Sequence, residues 1–296
     1  KFYGFLTGWL LLIAETMALP LFAIVFTRYL HYFIELEPWQ EILVKGLFIF
    51  SLTTVNILGV KLGGRVNDVL TIIKLAPLVL VIVLGFVFLT YNPEKLVQNY
   101  SPIAPLGWEN FGSALVLIFW AYAGFEMGTL PASEVKNPQR VIPRAIVVGM
   151  LLVISFYLLT NFVLYGSINW IELSHSALPL VLVGTLVIGY VGGMIVSFGA
   201  LASVSGASSS FVLGISRLSY AMSSEGLFPK IFSKVHPKYK TPHMALIIQG
   251  IAAFFLSIYG GISQLISFSV FNLSIVYIFV CLSLVVLKKE KETKFV

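Results

Sequence analysis

The chain has 296 residues, 58% of them hydrophobic and only 11% charged, whereas an ordinary soluble domain carries roughly 25% charge. That balance excludes a soluble globular protein and marks a membrane protein. The net charge of +6 sits between apolar segments rather than on one polar surface, which points to lipid headgroups and not nucleic acid; the lone Cys281 excludes a disulfide framework and a cysteine metal cluster within the chain.

A spanning helix needs about 20 mainly apolar residues. Eight segments meet that rule: 5–31, 42–60, 66–90, 112–130, 142–166, 181–222, 244–260 and 263–287. The fold expected is an all-α integral membrane protein forming a single polytopic domain over 1–296. The chain opens on Lys1 without a methionine and its first residues already read as the entry to a helix, so sequence upstream is expected. The first thirty residues lack the charged, apolar and small-residue succession of a removable signal peptide.

In chain order, the first span carries Glu15. Ionisable residues inside spans are costly and usually face a bundle interior or a watery cavity, but a carboxyl near a helix end can also hydrogen-bond its neighbours. The third span carries Lys74, two turns after Arg65 and Asp68, so it either snorkels to the interface or faces the interior. Residues 91–110 and 167–180 form the longer polar connections, and Asn99-Tyr100-Ser101 is a glycosylation sequon too short to carry weight.

The fourth span reads FWAYAGFEMGTLPASEVKNPQR from Phe119 to Arg140. Gly124, Gly128 and Pro131 all disfavour a continuous helix around Glu126, and a proline cannot donate the backbone bond a helix requires. One reading is a proline kink that neighbouring helices satisfy. The other is a discontinuous helix whose unwound stretch offers backbone N–H and C=O groups to a substrate near the bilayer midplane.

The sixth segment is too long for one straight crossing, so it tilts, bends or runs on beyond the bilayer near Arg217. Within it, SFGALASVSGASSS over 197–210 lets another helix approach closely. Ser203 and Ser205 also offer hydroxyl oxygens to an ion or ammonium group. No phosphate-binding loop, zinc-ligand spacing or hydrolytic triad is present among the motifs, and His31, His175, His236 and His243 fall at or beyond span ends. No cofactor and no metal is expected.

Orientation follows the Lys and Arg residues. Lys61, Arg65, Lys136, Arg140, Arg144, Arg217, Lys230, Lys234, Lys238 and Lys240 lie in alternate connections, together with Lys1 and with Lys288, Lys289, Lys291 and Lys294 at the ends. Both ends of the chain are therefore expected in the cytoplasm, with 91–110 outside.

FWAYAGFEMGTLPASEVKNPQRVIPRAI and the later RLSYAMSSEGLFPKIFSKVHPKYKTPHMAL resemble the amino acid-polyamine-organocation superfamily of transporters. The first is similar to the family's sixth helix and following loop, the second to its eighth helix and the loop before the ninth. The resemblance runs from the family's third helix through its tenth. It implies a partial five-plus-five inverted repeat, with 1–90 as the remainder of the first repeat and 110–287 as the second. The family's first two helices, with their glycine-rich break, and its last two are not in this sequence, so about half the substrate site is expected here.

The resemblance also implies roles. Phe119, Trp120 and Tyr122 line or gate the pocket, with Trp120 standing before Glu126 as a gating tryptophan stands before the acidic residue in the family's arginine-agmatine exchangers. Ala123, Gly124 and Phe125 form the unwound stretch, and Phe211 is a pocket-side aromatic. Lys74, in NDVLTIIKLAP, looks like the fifth-helix lysine that occupies a sodium site in proton-coupled members, with Ser203 and Ser205 flanking it. The implied function is an amino acid permease of the plasma membrane working by alternating access, with an amino acid as substrate, a proton or sodium as coupling ion and lipid around it. An exchanger, a non-transporting sensor on the same scaffold, and an intramembrane enzyme using Glu15 and Glu126 as an acid-base pair are the competing readings.

Overall fold

The computed structural model of the protein describes residues 2–59, 64–129 and 135–293, with side chains described over those ranges except at 64–73 and 288–293. The helices are α1 (Phe2–Thr16), α2 (Ala18–Leu30), α3 (Pro38–Ile57), α4 (Gly64–Tyr91), α5 (Pro93–Asn99), α6 (Phe111–Tyr122), α7 (Pro138–Ser167), α8 (Trp170–His175), α9 (Pro179–Ile188), α10 (Tyr190–Ser224), α11 (His243–Tyr259) and α12 (Ile262–Thr293). Among the described residues two 3-10 turns, Phe125–Thr129 and Lys230–Ser233, join them, and there is no strand.

Every segment expected to span coincides with helical structure among the described residues, although the chain divides three of them. Among the described residues, seven helical stretches are long and apolar enough to cross a membrane. The expected 244–260 span is α11, whose 17 residues at 1.5 Å rise give about 26 Å, at the short end of a crossing. The first span, Phe2–Leu30, is continuous in hydropathy but steps at Met17, whose N–H donates to Ala14 O at 3.3 Å. Pro20 supplies the cause, since it cannot donate to the Thr16 carbonyl, and Glu15 sits at the step. The overlong sixth segment divides at Gly189 into α9 and α10.

Within a bilayer, helices associate by close packing rather than by a hydrophobic drive, and the small residues of α10 serve that end. α10 packs on α1, α2, α3, α4, α9 and α11. Leu19 and Ala23 of α2, Phe48 and Ile49 of α3, Val212 of α10, and Leu246 and Ala253 of α11 form one buried cluster. Val81 of α4, Val163 of α7, Val183 of α9 and Val196 of α10 belong to another. Between α4 and α10 the approach is so close that a methyl on Gly199 would overlap the Pro77 ring.

The connections are tied locally. α3 begins with Pro38 in its first turn, and Glu37 N–H donates to Gln40 Oε1 at 2.8 Å. His31 Nε2 meets Glu41 Oε1 at 2.9 Å, and Lys45 Nζ lies 3.5 Å from Glu41 Oε2. Asn99, the sequon residue, donates from Nδ2 to Gly166 O at 2.9 Å, so its side chain serves to dock α5 on α7.

Candidate functional site

The α-helix around Glu126 stops at Tyr122. Ala123 is extended (φ −74, ψ 165), Gly124 has φ +103, and the chain resumes as the 3-10 turn Phe125–Thr129. A φ of +103 lies where L side chains are strained. Position 124 is closed sterically too, since an added Cβ would stand 3.0 Å from Phe211 Cζ. The expected unwound stretch is thus non-helical at Ala123 and Gly124, while Phe125 already belongs to the turn. Pro131, the further breaker that the sequence marks, lies outside the described residues, as does Lys61.

Backbone groups released by the break have specific partners. Gly124 N–H donates to Glu126 Oε2 at 3.0 Å. Ala123 N–H donates to Trp120 O at 3.1 Å. The Tyr157 hydroxyl of α7 reaches across to Ala121 O at 3.1 Å, with its ring against Tyr122 at 5.2 Å. The Glu126 carboxyl therefore has a local task, stabilising the turn, as well as an oxygen left for something else.

One face of the break opens on a cavity of about 680 Å³ lined by Lys74, Tyr122, Ala123, Gly124, Phe125 and Phe211 together with residues of α7. That volume lies within the roughly 300–1,000 Å³ of small-molecule sites. Lys74 also lines a second cavity, of about 270 Å³, with Tyr29, Pro77, Ser203 and Val204. Ser203 thus shares this cavity with Lys74. Ser205 lines neither cavity; its hydroxyl donates to Leu201 O at 2.8 Å, a bond within its own helix.

The other face carries Phe119, Trp120 and Glu126. Trp120 packs against the cluster of Leu21, Ile24 and Leu265. Phe22 of α2 links the two faces, its ring 6.4 Å from Trp120 and 5.3 Å from Phe211. Phe119 and Phe125 both meet the Tyr277 ring of α12, at 5.9 and 5.7 Å. Glu126 interacts electrostatically with Glu15 and with Tyr277.

Sequence reasoning missed Phe22, Tyr157 and Tyr277. For the two tyrosines a signal existed: a hydroxyl set within an apolar span needs a partner when buried, and such a residue marks where another polar group is to be sought. Phe22 had none, because one more aromatic on an apolar helix reads as packing. Among the described residues no group of three His, Cys, Asp or Glu side chains is arranged to hold a metal.

The family model for amino acid permeases matches residues 1–295. The chain is 29% identical over 305 residues to the serine/threonine exchanger SteT of Bacillus subtilis (strain 168), a match covering 98% of this chain and 66% of that protein. It is 27% identical over 259 residues to the branched-chain amino acid permease BcaP of the same organism, covering 84% and 54%. With the b(0,+)-type amino acid transporter 1 of Mus musculus it shares 32% identity over 250 residues, covering 83% and 50%. The chain spans between half and two thirds of the length of these curated relatives.

Proposed function

The chain belongs to the amino acid permease family, and from that membership we propose that in its complete protein it carries amino acids across the membrane by alternating access. The observation that carries the reading is the helix break at Ala123 and Gly124 facing a cavity of about 680 Å³. Unwound backbone at such a break can meet the charged ends of an amino acid. The family and the relatives named above are transporters rather than enzymes, which removes the acid-base enzyme reading of Glu15 and Glu126.

In this reading Ala123, Gly124 and Phe125 hold the substrate backbone. Tyr122 and Phe211 bound the cavity, and Phe119 and Trp120 form the gate, since a large ring beside an unwound helix both stacks on a substrate and blocks its exit. Residues 1–90 are the remainder of one repeat and 110–287 the other, and one bundle rocks against the other around the break. The alternation of basic residues supports cytoplasmic ends, and the plasma membrane is the location proposed for a permease.

Coupling is assigned to Lys74. Protonated, its ammonium stands between α4 and α10 beside Ser203, where a coupling cation would stand; deprotonated, it releases that contact and frees one bundle to move. Ser205 stiffens the same stretch of α10. Exchange is the second reading, favoured by the 29% identity to a protein named an exchanger.

Uptake of radiolabelled amino acids into proteoliposomes holding the complete protein, with and without an inward proton gradient, tests the proposal. Accumulation driven by the gradient supports coupled uptake. Uptake that requires internal amino acid and ignores the gradient identifies an exchanger, and saturable binding without flux under either condition identifies a sensor.

A further inference from the structure

A cavity of about 420 Å³ lies away from the helix break, between the connection that follows α4 and the one that follows α7. Among the described residues it shares none of its lining with the two cavities beside Lys74. Lys95 of α5 and Glu172 of α8 both line it, and so does Ser167 at the end of α7. Both connections lie on the side opposite the strongly basic ones, the face expected outside.

The walls of this cavity are fixed by their own bonds. Asn99 Nδ2 donates to Gly166 O at 2.9 Å and pins α5 on α7. Ile171 N–H donates to Asn169 Oδ1 at 2.9 Å where α8 begins, and Lys95 Nζ rests 5.3 Å from the centre of the Phe88 ring. Two features remain unused. Neither Lys95 nor Glu172 has an ion-pair partner among the described residues, so a cation and a carboxylate line one cavity without pairing. Ser167 is only 2% exposed, and its Oγ is buried with no hydrogen-bond partner among the described residues. A buried hydroxyl left unpaired costs free energy, and an occupant that bonds it recovers that cost.

The charges choose the occupant. A polyanion is repelled by Glu172 and a simple cation by Lys95. A zwitterion satisfies both, since its carboxylate accepts from the Lys95 ammonium while its own ammonium donates to the Glu172 carboxylate. Ile168, Leu182 and Leu186 add an apolar wall, and the volume falls within the roughly 300–1,000 Å³ of small-molecule sites. We propose that this cavity is a second amino acid site, separate from the helix break, which takes a zwitterion with an apolar side chain. Its occupant bridges α5, α8 and α9 and accepts a hydrogen bond from the Ser167 hydroxyl. The site goes beyond transport at the break and stands whether or not the protein moves what it binds here.

Equilibrium binding of radiolabelled L-leucine to the complete protein in detergent tests the site in wild type, Lys95→Met, Glu172→Gln and Ser167→Ala. Isocaproate, which is leucine without its amine, and isoamylamine, which is leucine without its carboxylate, serve as competitors. The affinity of one leucine site is expected to fall roughly fivefold in Lys95→Met and in Glu172→Gln, the scale of partly exposed charge pairs. Each competitor displaces leucine from that site roughly tenfold less well than leucine itself. Ser167→Ala weakens the same site, while the melting temperature of the leucine-free protein holds or rises because an unpaired buried oxygen is removed. Glu172 is exposed, so Glu172→Gln probes the site without disturbing the fold.

Leucine affinity left unchanged by both Lys95→Met and Glu172→Gln overturns the site. Isocaproate competing as well as leucine does overturns the zwitterion and leaves an anion site in its place. A leucine-free protein made less stable by Ser167→Ala, with leucine affinity intact, assigns that hydroxyl to packing and overturns its part in the site.

Discussion

At Gly189 (φ +77) α9 turns into α10, whereas at Gly124 (φ +103) α6 gives way to a 3-10 turn. Both changes of direction place a glycine at positive φ. At Gly189 the backbone supplies its own partners: Gly189 N–H donates to Thr185 O at 2.8 Å and Gly192 N–H to Gly189 O at 2.9 Å. No carboxyl takes part. At Gly124 the amide is held by a side chain, Glu126, and a cavity opens beside it. A break in a helix is thus only a change of direction until an ionisable group and open volume accompany it.

Substituting both glycines sharpens this contrast most. Gly124→Ala sets a methyl 3.0 Å from Phe211 Cζ on a backbone that strains it, while Gly189→Ala points into open space. Each costs about 1–3 kcal/mol of backbone strain, visible as a lower melting temperature of the complete protein. Only Gly124→Ala is expected to weaken substrate binding as well, by roughly tenfold or more. Equal loss of binding in both variants would erase the distinction between the two breaks.

Lys74→Ala comes next. Gradient-driven accumulation in proteoliposomes should disappear while exchange of internal for external substrate persists; intact accumulation would remove Lys74 from the coupling role. Trp120→Leu should weaken substrate binding more than it lowers stability. Its ring also packs on Leu21, Ile24 and Leu265, so binding and thermal melts must be read together, and matched losses would assign it to packing alone. The smallest effect belongs to Ser205→Ala. Its hydroxyl is already engaged by Leu201 O, and stability and coupling should change by no more than about 0.5 kcal/mol.

The spans were legible because twenty apolar residues in succession have one main use. The α6 break was legible for a local reason as well: Gly124 and Gly128 bracket Glu126 within a few residues. The step at Met17 was not, although Pro20 was in view, because hydropathy runs smoothly through it and a proline near the start of a helix is tolerated. Glu15 and Glu126 each stand out as carboxyls within apolar spans. That Tyr277 joins them was hidden, since the contact links α12 to the break across some 150 residues and no periodicity encodes it. Ser203 and Ser205, two positions apart on one helix, could not both face Lys74; helical geometry turns them roughly 200° from one another, and the sequence alone did not say which one faces inward.

The Pro77 ring seated on Gly199 has a mechanical consequence. Pro77 lies inside α4, where it leaves the carbonyl four residues earlier without its helical donor, and Lys74 is on the adjoining turn. A rod that tilts about a hard point acts as a lever. Any tilt of α4 about this contact carries the lysine end one way and the Leu89 end, packed against Gly166 of α7, the other. For such a tilt the single missing side chain at residue 199 would be the fulcrum, and it would set the ratio between a small displacement beside Lys74 and a larger one at the far end of the helix.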